Sequence, residues 1–148
     1  MAASTGLKGV NYTLNANPFP DSLRNAMFGG KVMAKVDSIA FDASNWDSGT
    51  TFYMGRLPKG CFVLGFQVYS GAMTNAVTMS IGDGSTAARF GAITTLASAS
   101  KQTIPCTDPT TEIVTETDIL ITTGGANCGA TGTFILITYL LVPENWTV

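Results

Sequence analysis

Histidine is missing from this chain altogether. That removes the commonest general base, the commonest metal ligand and every nucleophile that relies on a Ser-His or Cys-His pair. Charge is scarce too: Asp, Glu, Lys and Arg make up 12% of the residues, about half of what an ordinary soluble domain carries. The net charge of −2 supplies no field for holding phosphate backbones, so nucleic acid is not expected as a direct partner. Long apolar runs are lacking. The longest, residues 134–142, is interrupted by Thr138 and falls far short of the roughly 20 residues a spanning helix needs, so no membrane partner is expected either. The chain does not open with a basic segment and an apolar core, and no secretory signal is expected. Cysteine is limited to Cys61, Cys106 and Cys128, an odd number at wide spacing. In a chain that is not exported these read as free thiols rather than a disulfide framework. The triplets at Asn11 and Asn145 then read as accidents of composition, not as glycan acceptors.

What remains is a chain that is 45% hydrophobic. A folded protein of this size exposes about 7,000 Å², and 8 basic plus 10 acidic side chains cover that thinly. The rest of the surface must be Ser, Thr, Asn, Gly and apolar atoms. Such a surface suits a protein packed against other proteins, and it predicts a homo-oligomer, because monomers seldom expose large apolar patches.

The 148 residues divide into an N-terminal arm, 1–30, and one body, 31–148. In the arm, Gly6, Gly9, Asn11, Asn15, Asn17, Pro18 and Pro20 break any periodicity. A short helix fits after Asp21, a good N-cap, with Gly29-Gly30 to end it. Phe19, Leu23, Met27 and Phe28 give the arm apolar anchors that a plain linker lacks, and predict that it docks on a neighbour.

The body reads as strands. Val32, Ala34 and Val36 alternate with Lys31, Met33, Lys35 and Asp37, a period of two that buries one face. Residues 50–56, 61–69, 77–81, 111–117, 118–123 and 132–142 read as further strands, 87–96 is ambiguous and 98–102 reads as loop. Turn signals separate them, Pro58-Lys59-Gly60, Gly82-Asp83-Gly84-Ser85 and Gly124-Gly125-Ala126-Asn127 among them. Seven or eight short strands about ten residues apart predict an all-β fold, an antiparallel β-sandwich or jelly roll with an extended N-terminal arm. Alternation and centrality nominate Val32, Val36, Phe62, Leu64, Phe66, Ile81, Ile119, Ile121, Phe134, Leu136 and Tyr139 for the core.

The chemistry is thin. There is no Gly-x-Ser-x-Gly elbow and no Cys-x-x-Cys, and Gly29-Gly30-Lys31 lacks the upstream glycine of a phosphate loop. Paired carboxylates, Asp42 with Asp47 or Glu112 with Glu116 and Asp118, have the residue type for acid–base work on glycosides. Loop solvation and protection of a strand edge explain them more simply. Asp42-x-x-Asn45-x-Asp47 matches no calcium-loop spacing. No catalytic residue, cofactor site or metal site is therefore assigned, and the chain is not expected to be an enzyme. Trp46 in a loop and Trp146 in the tail are interface anchors or pack on their own subunit.

Two stretches carry a family likeness. Residues 53–65, Tyr-Met-Gly-Arg-Leu-Pro-Lys-Gly-Cys-Phe-Val-Leu-Gly, and residues 77–87, Val-Thr-Met-Ser-Ile-Gly-Asp-Gly-Ser-Thr-Ala, resemble capsid cement, or head decoration, proteins of tailed bacteriophages with a jelly-roll fold. The likeness spans residues 30 to 142. It implies a structural virion protein, made in the host cytoplasm. As a homo-oligomer it would bind the outside of the capsid and hold neighbouring major capsid protein subunits together. It brings no catalytic residue. A second reading is a carbohydrate-binding sandwich or tail-fibre component, with Trp46 and tyrosines as a platform for sugar.

Overall fold

The computed structural model describes residues 30–44 and 46–143. The expectations for Phe19, Leu23, Met27, Phe28 and Trp146, and for a helix after Asp21, lie outside the described residues. Eight strands follow one another: β1 (Gly30–Phe41), β2 (Thr51–Leu57), β3 (Phe62–Ser70), β4 (Val77–Gly82), β5 (Gly91–Ile93), β6 (Ser100–Pro105), β7 (Thr117–Gly125) and β8 (Gly132–Pro143). No helix occurs among the described residues, so none there is long and apolar enough to cross a membrane.

The pairing is nested. β1 pairs with β8, β2 with β7, β3 with β6 and β4 with β5, all antiparallel, as in one long hairpin folded on itself. Two further pairings, β3 with β8 and β4 with β7, roll that hairpin into two sheets ordered β1-β8-β3-β6 and β2-β7-β4-β5. This is the jelly-roll solution for an eight-stranded sandwich, in which each sheet buries one face against the other. The all-β sandwich expected from sequence is the observed fold.

The core lies between the sheets. Phe66, Ile81, Ile119, Ile121, Phe134 and Leu136 are all buried there, as their alternation predicts. Trp46, at the bend between β1 and β2, is 3% exposed and closes one end of the core. Its ring centroid lies 4.4 Å from that of Phe52, 5.4 Å from Phe41 and 6.1 Å from Phe134. Its carbonyl accepts the Cys128 N–H at 2.9 Å, which ties that bend to the segment before β8.

Five core assignments change. Val32 and Val36 are 65% and 68% exposed. The period of two is present, but its apolar side points away from sheet two. Met33, Lys35, Asp37, Ile39 and Phe41 take the inner side, opposite the buried residues of β8, and only Phe41 is fully buried. Phe62, Leu64 and Tyr139 are half-buried. In β3 a bulge explains two of these: Val63 is opposite Leu140, yet Gly65 is already opposite Tyr139, so Leu64 is an extra residue. The inward phase therefore passes from Val63 to Phe66, Val68 and Ser70. Tyr139 sits on the outer side of β8, between buried Thr138 and Leu140.

Two boundaries also differ. Residues 98–102, read as loop, contain the start of β6, whose edge position tolerates Lys101, Gln102 and Pro105. Residues 111–116 form no strand beyond a single bridge between Phe62 and Glu112, while β7 starts at Thr117. The polar Thr-Glu-rich sequence there has too little apolar surface to hold a second ladder.

Candidate interaction surface

The register of the first sheet fixes which side chains share its outer face. Val32 lies opposite Leu141, Ala34 opposite Tyr139, Val36 opposite Ile137 and Ser38 opposite Ile135. On the other side of β8, Phe62 lies opposite Leu141, Gln67 opposite Ile137 and Tyr69 opposite Ile135. Cross-strand partners share a face, so these residues form one surface from β1 to β3, and none of them is charged. The inner partners Phe134, Leu136, Thr138, Leu140 and Val142 are buried, which confirms the assignment of sides.

The polar groups on this surface are organised. The Tyr139 hydroxyl donates to Gln67 Oε1 at 3.2 Å, and the Tyr69 hydroxyl reaches the same oxygen at 3.4 Å. The Lys101 ammonium lies 5.3 Å from the centroid of the Tyr69 ring, at the β6 margin. The two tyrosines thus share one acceptor, on the face that also carries Ile135 and Ile137.

β1 is the edge strand of this sheet and has no partner on its second side among the described residues. Met33, on its inner side, is also 46% exposed. Lower down that inner side, the Lys35 ammonium donates to the Arg56 carbonyl at 2.5 Å and joins β1 to β2. A long edge strand carrying exposed valines is the sort of edge that natural proteins cover or blunt.

Of the carboxylates raised by the sequence, Asp42, Glu116 and Asp118 have side-chain partners, and so does Asp83 of the turn after β4. Asp83, at the β4 end, is buried and accepts the backbone N–H groups of Ser85 and Thr86 at 2.9 and 2.7 Å and the Ser85 hydroxyl at 2.8 Å. Arg89 closes the loop with an ion pair of 2.5 Å and lies 5.3 Å over the Phe90 ring. Burial alone would raise the Asp83 pKa, but the guanidinium and these donors outweigh it and hold the carboxyl well below the usual range. Gly82 lets this loop close, because a Cβ there would sit 2.1 Å from the Thr86 carbonyl oxygen.

Arg56 binds Asp118 at 2.7 Å and Glu116 at 3.8 Å on the exposed outer face of the second sheet. Its hydrogen bond and charge lower the Asp118 pKa. Glu116 and Asp118, with Tyr53, Leu120 and the Asp83 loop, line an open cleft of about 460 Å³. Asp42 Oδ1 accepts the Ser44 N–H at 2.7 Å as a turn-former. Among the described residues no three His, Cys, Asp or Glu side chains gather as metal ligands. Cys61, Cys106 and Cys128 are free and buried, and burial pushes the thiols of Cys61 and Cys106 up.

Trp46 is buried in its own subunit against Phe41, Phe52 and Phe134. The residues that do form a surface, Val32, Val36, Gln67, Tyr69, Ile135, Ile137, Tyr139 and Leu141, were not singled out as such from sequence. One signal was available. Residues 134–142 are apolar on both faces, and a strand of a two-layer sandwich can turn only one face to its core.

No protein-family model matches the chain, and no curated protein matches its sequence. Solved structures do. A chain of the cyanophage Pam1 capsid asymmetric unit is 23% identical, covers 97% of this chain and 100% of its own length, and gives a TM-score of 0.65. A chain from the capsid of Ralstonia phage GP4 is 13% identical over 84% of this chain and 89% of its own, with a TM-score of 0.62. A third, from the capsid structure of the Helicobacter pylori bacteriophage KHP30, is 14% identical over 77% of this chain and 94% of its own, with a TM-score of 0.54. This chain therefore shares its jelly-roll fold, nearly end to end in the first case, with chains found in phage capsids.

Proposed function

We propose that this chain is a structural virion protein that binds the outer surface of a phage capsid and cements neighbouring major capsid protein subunits, acting as a homo-oligomer and not as an enzyme. The observation that carries the reading is the reversed face of β1: its valines, and the isoleucines of β8 beside them, point away from their own core. Val32 and Val36 add little to the fold of one subunit, and the half-buried isoleucines gain further burial when another protein covers that side. The likeness to chains of three phage capsids supports the virion setting. The paired or turn-bound carboxylates and the absence of histidine support a role without catalysis.

Residues 1–30 supply the second part of the proposal. Phe19, Leu23, Met27 and Phe28 anchor the arm on a neighbouring subunit or on the shell, and Trp146 does the same for the tail. Many weak contacts repeated over a shell hold by avidity. The test is to add purified chain to capsid shells that lack it and to sediment the shells. Uptake that saturates at a fixed ratio to the major capsid protein is expected, with weaker uptake when residues 1–28 are deleted. Shells that take up no protein would overturn the reading.

A further inference from the structure

We infer that the outer face of the β1-β8-β3 layer is the interface between copies of this chain. The inference deepens the self-association part of the proposed function and rests on it. Size is the first argument. At about 3.3 Å per residue the twelve residues of β1 and of β8 span about 40 Å and the nine of β3 about 30 Å, which at about 4.8 Å strand spacing gives a flat footprint of about 530 Å². That is about two-thirds of the ~800 Å² per partner of a standard stable interface, before side-chain relief and the free edge of β1 are counted. An extended arm of one chain would cover a strip one strand wide and leave most of this patch in water.

Chemistry is the second argument. From Val32 across Ile137 to Tyr69 the strands β1, β8 and β3 place no charged side chain on the face, and the cation beside it, Lys101, lies against the Tyr69 ring at the β6 margin, so two copies meet with that charge at the rim. An uncharged apolar face is complementary to itself, which is what contact between identical copies requires. Tyr69 and Tyr139, already fixed by Gln67, add rigid contact area with little left to order. The outer face of the second sheet offers no such match. Its outward positions are mostly polar, with Thr51, Thr78, Ser80 and Thr122 and the Arg56–Asp118 pair, and its apolar members are confined to the one cross-strand pair Tyr53–Leu120 beside that ion pair.

The test is the mass of the full chain by sedimentation equilibrium at about 1–100 µM. The expected result is a discrete multiple of 15.5 kDa. Val36→Asp, at a position exposed enough to leave the fold intact, weakens association at least ~100-fold, while Val36→Ile and Thr122→Asp leave it unchanged; circular dichroism checks that each variant is folded. A wild-type chain that stays monomeric throughout, or a Val36→Asp chain that associates like wild type, overturns the inference. So does a monomeric chain that coats shells and loses that ability with Val36→Asp, because the face then belongs to the shell protein. A chain that self-associates through this face but coats no shell overturns the virion reading alone.

Discussion

The two outer faces of the sandwich are built on the same plan and made of different residues. Both belong to four-stranded antiparallel sheets whose inner faces share one core. On the second sheet the outward positions carry mostly hydroxyls and an ion pair, with the single apolar pair Tyr53–Leu120: the Thr51 and Thr122 hydroxyls lie 3.5 Å apart, and Arg56 holds Asp118. On the first sheet the same positions carry Val32, Val36, Ile135, Ile137, Tyr139 and Leu141. Water suits the first set and not the second. The fold alone needs only the inner faces, so the outward apolar set is legible as a demand for a partner.

That division predicts where substitutions act. Trp46→Ala removes the largest side chain of the inner cluster and should cost about 3–5 kcal/mol in urea unfolding, at any protein concentration. Ile121→Ala, at another fully buried inner position, should cost about 2–5 kcal/mol. If either behaves like a surface change, the division between the faces is wrong.

Asp83→Ala leaves the Ser85 and Thr86 donors and Arg89 without their acceptor, and should cost about 2–4 kcal/mol. The sign with pH follows from the lowered carboxyl. The contribution of Asp83 is complete above the ordinary aspartate pKa of about 3.9 and is lost as the pH falls through its lower folded value. Thermal melts from about pH 6 to 2 should therefore show the wild type and an Asp83→Asn variant converging as the solution becomes acid.

The smallest effect is the most diagnostic. Val36→Thr should change the stability of the dilute monomer by no more than about 0.5 kcal/mol, because the side chain is 68% exposed there. The same change should weaken association measurably. A large loss of stability at high dilution would mean that Val36 serves its own subunit.

Much of this was legible in the sequence. The strand patterns of residues 118–123 and 132–142, the turn residues between strands and the lack of a helical stripe after residue 30 are enough for the sandwich. They also placed Phe66, Ile81, Ile119, Ile121, Phe134 and Leu136 in the core. Alternation gives a period but not which side of the sheet faces the core, and at β1 the apolar side is the outer one. The β3 bulge is a phase change that no periodic pattern reveals, since Leu64 is as apolar as its neighbours. Trp46 illustrates a third limit: a loop residue can be a core residue when the loop folds over the end of the sandwich. The interaction surface was foreshadowed by composition, 12% charge beside 45% hydrophobic residues, but its position needed the register.

The most direct test of the difference between the two faces is amide hydrogen exchange on the full chain at low and high protein concentration. The account predicts that protection of β1 and of the outer residues of β8 rises with concentration while β2, β4 and β7 stay constant. Equal change on both sheets, or protection of β1 that does not depend on concentration, would contradict it.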